Sequence, residues 1–433
     1  MAFNGVLLKI LIGAAGSLGD TLPFVALGLA LQQRGHDVHL FASESYAGHA
    51  AGLPFTPVMG VAAHEALLHD PRVTDPRHGF TLLSEAFATT LPRAFEAMCA
   101  EVVPGQTLAV GSTLSFASRL LKDALGVPTT TVHLAPSVFR SVHQPPHLGP
   151  YGVLDKLPAL LQRGAWWLID RLVLDRLFTR PFNAYRRQLG LAPVSRMFDR
   201  WLHQADVTLG MFPPWFAPPQ PDWPAGLVCT GFPLYDNGEV HPLPTELEAF
   251  LAAGEPPVGF TSGTANATSH AFFAASAAAC ALSGRRGLLI TKAGAQLPSP
   301  LPPGVLHVPY APFSQLLPRL AAFVHHGGIG TTSQALHAGV PQLVRPMAYD
   351  QFDNAQHVLR LGLGVRLLPV EYAPHAVARA LDRLIADSSL QARCAAVASL
   401  CRADGAAIDV ACNAVLSSRD RAWRAFAGHG AKT

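Results

Sequence analysis

The chain opens on an alternation of apolar runs, glycine-rich loops and segments with helical periodicity. Val6–Ile12 is a continuous apolar run, which is typical of a central parallel strand covered on both faces. A glycine-rich loop follows at Gly13–Gly19, and Leu22–Leu31 then places apolar residues at helical spacing before Gly35 provides a C-cap. Asp37–Phe41 is the next predicted strand. This order of strand, loop and helix predicts a doubly wound α/β unit.

The same rhythm returns twice farther along the chain. It resumes at residues 108–133, gives way to a mostly helical stretch at 137–215, and starts again with a predicted strand at Val258–Thr261. The segment at 212–244 is rich in proline and turn residues, a composition that suits an interdomain linker. The pattern therefore predicts two Rossmann-like domains that form a cleft, and such clefts bind ligands.

We place the domain boundaries by this alternation of strands and helices. The N-terminal domain covers residues 1–225, the proline-rich linker 226–245 and the C-terminal domain 246–433. We expect the last helix to cross back to the N-terminal domain.

The composition narrows the classes of protein. Hydrophobic residues make up 49% of the 433 residues and charged residues 14%, against about 25% in typical globular proteins. The formal net charge is only +3, with no run of lysine and arginine, which argues against nucleic acid as a partner. The weakly charged surface is compatible with a lipid substrate or a membrane contact, and equally with a plain Ala- and Leu-rich composition.

Features of the termini and cysteines indicate where the protein works. The six cysteines form no CxxC pair and show no metal-ligand spacing, which favours a reduced, cytoplasmic protein. No apolar run reaches the roughly 18–20 residues that span a bilayer. Lys9 interrupts the N-terminal apolar stretch, so we interpret it as a strand rather than a signal peptide.

The most informative segment is VHHGGIGTTSQALHAGVPQ, residues 324–342. A predicted strand ends there, a loop with His325, His326, Gly328 and Gly330 follows, and a helix begins near Thr331. Glycines let a phosphate approach the backbone, and the free amides and positive dipole end of the helix attract its charge. The position of the loop between strand and helix favours an anion site over a simple turn.

Two further elements follow strands at the expected carboxyl edges of the sheets. Asp350 and Gln351 can hydrogen-bond to sugar hydroxyls, and Asp20 lies where the first helix begins. Each aspartate also has a simpler explanation as a helix cap, which the sequence alone leaves open.

Taken together, these elements resemble the inverting family 1 glycosyltransferases with the GT-B fold. The match in the second half runs from Tyr310-Ala311-Pro312 through the histidine and glycine loop to Asp350-Gln351 and Asn354, in matching order and spacing. The resemblance implies that Tyr310 and Ala311 lie against the nucleotide base and that Asp350 and Gln351 bind the sugar. It assigns the diphosphate to the loop and helix start, with these contacts: His325, His326, Gly328, Gly330 and Thr331. We also expect Ser17 and Thr264 to contact the donor.

The chain departs from the family pattern at one position. Many relatives carry a glutamate that binds both ribose hydroxyls, and Gln334 stands there in this sequence. A deoxyribose has only one of those hydroxyls, so the change is compatible with a dTDP-sugar. The family also implies that no metal and no cofactor are needed beyond the donor itself.

The N-terminal pattern implies the catalytic base. Many relatives carry a histidine in a G-H-x-x-P pattern, whereas Gly19-Asp20 and Pro23 stand there in this chain. Bacterial natural-product members of the family use aspartate at that place. The resemblance therefore implies that Asp20 deprotonates the acceptor hydroxyl.

A narrower resemblance extends over nearly the whole chain. It is to the rhamnosyltransferases of rhamnolipid biosynthesis, and the segments that carry it include Asp70-Pro71-Arg72, Phe216–Gln220 and Gly231-Phe232-Pro233-Leu234. It implies transfer of L-rhamnose from dTDP-L-rhamnose to a hydroxyalkanoyloxyalkanoic acid, giving a mono-rhamnolipid. The expected partners are then the nucleotide-sugar donor, the lipid acceptor, the enzyme that makes that acceptor and the inner membrane face.

A fatty acceptor needs an apolar tunnel. The aromatic candidates for its lining are Phe80, Phe87, Phe139 and Trp166, although aromatic residues at such spacing are more often plain core.

Three other functions stay open at this stage. The first is glycosyl transfer from UDP- or dTDP-glucose to a sterol or antibiotic-type acceptor. The second is a sugar-nucleotide epimerase, although the sequence shows no convincing pair of acid and base carboxylates. The third is a non-catalytic nucleotide-sugar-binding partner of a membrane complex, which predicts the loss of catalytic residues that this chain retains.

Overall fold

The computed structural model describes residues 7–75, 78–236, 242–263, 269–403 and 406–430, with side chains described up to residue 422. Thr264 lies outside the described residues. The strands form two parallel sheets, ordered β3-β2-β1-β4-β5-β6-β7 and β10-β9-β8-β11-β12-β13. The fold class predicted from the sequence, α/β with two Rossmann-like sheets, is confirmed.

The first sheet contains these strands: β1 (Lys9–Gly13), β2 (Asp37–Ser43), β3 (Phe55–Met59), β4 (Thr107–Ser112), β5 (Thr129–His133), β6 (Val207–Gly210) and β7 (Val228–Cys229). The helices that accompany them are α1 (Leu18–Gln33), α2 (Val61–His69), α3 (Gly79–Ala100), α4 (Phe116–Leu125), α5 (Ala159–Ile169) and α6 (Arg180–Gln188). A π-helical segment, Asp170–Thr179, joins α5 to α6 without a break.

The second sheet contains β8 (Val258–Thr261), β9 (Gly287–Ile290), β10 (Val305–Val308), β11 (Ala322–His325), β12 (Gln342–Val344) and β13 (Gly364–Arg366). Its helices are α7 (Thr245–Ala252), α8 (His270–Ser283), α9 (Phe313–Leu316), α10 (Ile329–Ala338), α11 (Gln351–Arg360), α12 (Pro374–Ala386) and α13 (Ser388–Ala403). The last helix is α14 (Ala407–Gly430).

The strands are apolar because helices cover both faces of each sheet. Ile10, Leu11 and Ile12 alternate between the two faces of β1, and all three are fully buried. Continuous apolar runs are the mark of such doubly covered parallel strands. The apolar pattern that predicted β1 therefore reflects burial on both sides.

The last helix packs on the first sheet rather than the second. α14 contacts α1, β4 and β6, and it buries Cys412 and Val415 in the core formed with β1 and α1. The Arg34 side chain also donates hydrogen bonds to Asp409 and Asn413 of this helix. The first described strand and the last described helix therefore lie in the same domain.

Contacts between the two halves border the cleft. The Asp353 carboxylate accepts a hydrogen bond of 2.8 Å from the His147 amide, and Arg360 donates one of 2.6 Å to the Phe216 carbonyl. Within the described ranges, no helix is both long and apolar enough to cross a membrane.

Candidate active site

The N-terminus of α10 presents an anion-binding surface. β11 ends at His325, and α10 begins at Ile329 with Gly328 as an N-cap that offers no side chain. The first amides of a helix have no intrahelical acceptor, and they stand at the positive end of its dipole. Gly327 adopts a φ of 91°, and a Cβ there would lie 2.8 Å from Val344 Cγ1. The loop can therefore take this path only with glycine, and its free amides suit a phosphate group.

His325 points into the core of the second domain. Its Nε2 lies 2.9 Å from the Gln342 side-chain oxygen, and its Nδ1 accepts a hydrogen bond of 3.1 Å from the Gly327 amide. Burial, followed by the neighbouring His326, lowers its pKa to about 3. Both ring nitrogens are engaged in the interior, so the geometry does not support the expectation that His325 contacts phosphate.

His326 occupies the loop instead. A Cβ on Gly263 would lie 2.6 Å from its Cε1, and a Cβ on Gly328 would lie 2.5 Å from its Nε2. The ring therefore fits in the space that two glycines leave, between the end of β8 and the start of α10. Burial lowers its pKa to about 4, so the ring is neutral, and its Nδ1 has no hydrogen-bond partner among the described residues. It has hydrogen-bonding capacity to offer a ligand.

Asp20 stands in the first turn of α1, at the carboxyl end of β1. Its Oδ2 accepts hydrogen bonds from the Ser17 amide at 2.7 Å and from the Ser17 hydroxyl at 2.8 Å. A Cβ on Gly16 would lie 2.5 Å from that oxygen, and Gly16 has a φ of 130°. Burial raises the pKa of Asp20, and the two bonds from Ser17 oppose that rise. The Ser17 hydroxyl, which was expected to contact the donor, donates its hydrogen to Asp20 and so orients that carboxylate.

A second pair of side chains supports the same turn. The Tyr46 hydroxyl lies 3.1 Å from His64 Nε2 and donates to the Gly16 carbonyl at 3.4 Å. Burial, followed by the charge of Asp20, raises the pKa of Tyr46. Sequence inspection missed both residues, because nothing in their local pattern distinguishes them from ordinary core or surface positions.

The turn of Asp20 meets the start of α10 across the cleft. A Cβ on Gly330 would lie 3.6 Å from the Gly19 carbonyl oxygen, and α1 contacts α10. The structure thus brings the turn that carries Asp20 into contact with the start of α10. These two groups are separated by 310 positions in the sequence numbering, from Asp20 to Gly330.

Asp350 completes the group of polar side chains at this point. Its Oδ2 accepts a hydrogen bond of 2.7 Å from Asn354 Nδ2, which also donates to the Gly327 carbonyl at 2.9 Å. Asn354 therefore ties the Asp350 carboxylate to the loop that precedes α10. Burial raises the pKa of Asp350 to about 7, and the charge of Asp20 is the next cause. The two carboxylates therefore interact electrostatically across the cleft.

Gln351 holds the preceding loop in place. Its side-chain oxygen accepts hydrogen bonds from the amides of Met347 at 2.8 Å and Ala348 at 3.2 Å. Only its amide nitrogen is then left for a ligand, so Gln351 can donate to a sugar hydroxyl but not accept from one.

The remaining expected donor contacts differ in their exposure. Tyr310 follows β10, is 39% exposed, and has a pKa raised by burial and then by Asp236. Ala311 is buried, so it can meet a nucleotide only through its backbone. Thr331 and Gln334, on the first and second turns of α10, are partly exposed.

The four aromatic candidates for the acceptor tunnel fall in different places. Phe80 is 40% exposed, and its ring meets the Tyr349 ring edge-on at 6.0 Å. Phe87 lies in an aromatic cluster behind it, 4.3 Å from the Phe116 ring. Phe80 and Phe87 can therefore line an apolar route into the cleft.

The rings of the other two candidates are covered by neighbouring side chains. Phe139 does not fit the expected role in an acceptor tunnel, because it is 1% exposed and packs in the core against His133, Phe212 and Trp223. Trp166 lies under the Arg140 guanidinium, 4.5 Å from the ring centre. Arg140 is itself fixed by Asp170 at 2.6 Å, so this stack is a structural contact.

Tyr349 is a cleft residue that sequence inspection missed. It immediately precedes Asp350, has a φ of 55°, and its hydroxyl donates to the Val73 carbonyl of the first domain. A positive φ at a bulky residue signals a constrained backbone. The neighbouring Asp-Gln pair was the only signal that pointed to this loop.

Comparison with known proteins places this geometry in a family. Residues 288–415 match the family model described as "Erythromycin biosynthesis protein CIII-like, C-terminal domain". The chain is 32% identical over 379 residues to O-mycaminosyltylonolide 6-deoxyallosyltransferase of Streptomyces fradiae, covering 84% of this chain and 86% of that protein. The chain belongs to the family 1 glycosyltransferases with the GT-B fold. It is also 31% identical over 411 residues to vancomycin aglycone glucosyltransferase of Amycolatopsis orientalis, covering 93% and 96%.

Solved structures agree on the fold of this glycosyltransferase. The glycosyltransferase of kitacinnamycin superposes with a TM-score of 0.74 at 20% identity, covering 96% of this chain and 100% of that one. The GT-B fold expected from the sequence is therefore confirmed, and the chain is a glycosyltransferase that uses a nucleotide-sugar donor.

The coupling of the two carboxylates predicts a pH dependence of donor binding. Because the raised pKa of Asp350 is about 7, this carboxyl is neutral below pH 7 and negative above it. The negative form repels the donor diphosphate, so we expect affinity for a dTDP-sugar to fall roughly fivefold between pH 6 and pH 8. Isothermal titration calorimetry measures it, and the donor's own phosphates do not titrate in this range.

The Asp350→Asn variant separates this effect from other titrations. We expect it to bind the donor with nearly the same affinity at pH 6 and pH 8. The exposed Asp37 provides a charge-matched control, since Asp37→Asn should keep the wild-type dependence. A pH dependence that survives unchanged in Asp350→Asn rejects this carboxyl as its source.

Proposed function

We propose that this glycosyltransferase moves L-rhamnose from dTDP-L-rhamnose to a hydroxyl of a hydroxyalkanoyloxyalkanoic acid, forming a mono-rhamnolipid. The observation that carries the proposal is the contact of the turn that carries Asp20 with the N-terminus of α10, where Gly330 lies against Gly19. A carboxylate beside an anion site is the arrangement that a displacement reaction on a nucleotide sugar needs.

The donor diphosphate lies on the first amides of α10 in this proposal. His326 donates a further hydrogen bond from the loop, Thr331 contributes its hydroxyl, and Tyr310 packs against the base. Gln334 stands where a ribose-binding glutamate is common in the family, a change that is compatible with a deoxyribose and hence with dTDP. Asp350 and the Gln351 amide nitrogen bind sugar hydroxyls.

The chemical step is a single displacement. The acceptor hydroxyl oxygen forms a bond to the anomeric carbon, its proton passes to Asp20, and the bond from that carbon to the diphosphate oxygen breaks. A positioned base typically contributes about 10²–10⁴-fold to the rate. The charge that grows on the leaving diphosphate is met by the α10 amides and His326, which are already oriented before the reaction.

The lipid acceptor is supported by an apolar path on the first-domain side of the cleft. Phe80 is exposed there and contacts both Tyr349 and Phe178, and Phe87 packs behind them. Acyl chains lying on these rings would bring their hydroxyl toward Asp20. The narrower resemblance to the rhamnosyltransferases of rhamnolipid biosynthesis points to the same acceptor class.

A second acceptor class has its own support. By their names, one of the relatives above transfers 6-deoxyallose to O-mycaminosyltylonolide and the other transfers glucose to the vancomycin aglycone. An antibiotic-type or sterol acceptor would use the same donor site and the same base. The two proposals therefore differ only in the sugar and in the acceptor.

A transfer assay with matched substrates tests the proposal. Purified protein is given dTDP-L-rhamnose or UDP-glucose, each with a hydroxyalkanoyloxyalkanoic acid or a polyketide aglycone, and products are identified by mass spectrometry. The proposal predicts a rhamnolipid mass only in the reaction that contains both dTDP-L-rhamnose and the lipid acceptor. A product with the aglycone and none with the lipid rejects the lipid acceptor while leaving the donor site intact.

A further inference from the structure

The first domain carries a helical surface that leaves large apolar side chains in solvent. Along α5 and the π-helical segment, Leu160 is 78% exposed, Trp167 63% and Leu172 58%. Three more exposed residues of this segment are Leu161, Leu168 and Val173. Their spacing places most of them on one side of the helix. Soluble proteins rarely leave such a contiguous apolar face uncovered, and a face of this kind marks an interaction site.

The opposite side of the same helix is ordinary core. Gln162 is buried and donates a hydrogen bond of 2.7 Å to the Leu157 carbonyl. Phe178, at the end of the π-helical segment, is buried against Phe80 and Phe87. The two adjacent tryptophans divide in the same way, since Trp166 is covered by Arg140 while Trp167 is exposed. The helix is therefore held in place, and its exposed face is a fixed feature of the fold.

Exposed basic side chains lie along the same segment as the apolar face and at its two ends. Five exposed residues of this region make no ion pair with any described residue: Lys156, Arg163, Arg171, Arg176 and Arg180.

The acidic side chains of the same region are engaged elsewhere. Asp170 pairs with Arg140, Asp155 with His147, and Asp175 accepts the Thr179 hydroxyl at 2.9 Å. Six basic residues (these five and Arg140) stand against the three carboxylates of this region, an excess of three positive charges, so the apolar face has a net positive charge around it. That combination matches a surface that is both apolar and anionic.

We propose that α5 and the π-helical segment lie in the plane of an anionic phospholipid bilayer surface. Leucine and tryptophan side chains would enter the boundary between head groups and acyl chains, and the arginines would meet lipid phosphates. The long arginine side chains can reach up to the head groups while their aliphatic parts stay in the apolar layer. This inference is independent of the proposed donor and acceptor, because it rests on a face outside the active site.

The position of the face connects the bilayer to the cleft. Phe178 lies near the end of the π-helical segment, and its ring contacts that of Phe80. The Phe80 ring in turn meets Tyr349, the residue before Asp350. A protein held by this face would keep the aromatic path close to the membrane, where molecules with acyl chains collect.

Vesicle flotation of the full chain tests the proposal. The vesicles are phosphatidylcholine with or without phosphatidylglycerol, at low and high salt. We expect binding that requires phosphatidylglycerol and weakens with salt, because each arginine near the surface adds a salt-sensitive factor of about five. The Arg163→Gln/Arg171→Gln variant should bind more than tenfold more weakly. The control Arg379→Gln/Arg383→Gln, which removes the same charge from exposed positions of α12, should bind as the wild type does.

A second pair of variants tests the apolar part. Trp167→Gln/Leu172→Gln should lose most binding, whereas Leu282→Gln/Leu400→Gln, at exposed leucines of the second domain, should retain it. Donor binding and circular dichroism verify that each variant is folded. Absence of wild-type binding to anionic vesicles, or equal binding of all variants, overturns the proposal. So does a wild-type dimer in sedimentation velocity that Trp167→Gln/Leu172→Gln disperses, because the face would then cover a second copy.

Discussion

Replacement of Asp20 by asparagine is expected to lower kcat by about 10²–10⁴-fold, the contribution of a positioned general base. The amide is the same size and can still accept the hydrogen bonds that Ser17 donates to Asp20 Oδ2 at 2.7 and 2.8 Å. It cannot accept the proton of the acceptor hydroxyl. Steady-state kinetics together with calorimetric donor binding should show the loss in turnover with donor affinity nearly unchanged.

Two controls define what this result means. The Asp37→Asn variant removes a carboxylate from an exposed position at the start of β2 and should leave kcat at the wild-type value. Ser17→Ala keeps the Asp20 carboxylate but removes one hydrogen bond that opposes its raised pKa. The acidic limb of the pH–rate profile should then move to higher pH in Ser17→Ala. Near-normal turnover of Asp20→Asn shows that another group is the base.

The two loop histidines are expected to respond in opposite ways to alanine substitution. His326→Ala should lower kcat by about 10²–10³-fold, because it removes one preoriented donor from the leaving diphosphate. The thermal midpoint of this variant should change little, since Nδ1 of the wild-type His326 has no partner within the described part of the chain. Enzyme kinetics and differential scanning calorimetry measure the two effects.

His325→Ala should instead destabilise the fold. It leaves a cavity at a fully buried position and removes the partner of the Gln342 side-chain oxygen, a combination that costs about 2–4 kcal/mol. Its thermal midpoint should fall clearly. At temperatures where the variant remains folded, we expect it to keep more activity than His326→Ala. The reverse order of activities contradicts the assignment of the phosphate contact to His326.

The anion site could be predicted because its chemistry depends on backbone and local order. A buried strand, three glycines and a helix start follow one another in residues 322–331, and that order alone brings free amides to a sheet edge. The strand β6 shows the limit of the same reasoning. It is only four residues long, Val207–Gly210, within a stretch whose periodicity indicated helices. Its pairing with β5 decides its structure.

Side-chain directions could not be predicted in the same way. His325 and His326 are adjacent in the sequence, and only the end of β11 at His325 separates a core residue from a loop residue. Phe139 and Phe80 are both aromatic residues in first-domain segments, yet one packs under Trp223 and the other meets Tyr349. Those outcomes depend on contacts between distant segments. The same holds for the juxtaposition of Asp20 with Asp350, which the resemblance implied but no local pattern could supply.

The stereochemistry of the product is the most direct test of the central claim that Asp20 and the α10 anion site act from opposite sides of the anomeric carbon. The product sugar is isolated from the transfer reaction, and NMR determines its anomeric configuration relative to the donor. Our interpretation predicts inversion, since the acceptor oxygen enters from the Asp20 side as the diphosphate leaves toward α10. Retention of configuration would require a second displacement or a same-face attack and would contradict it.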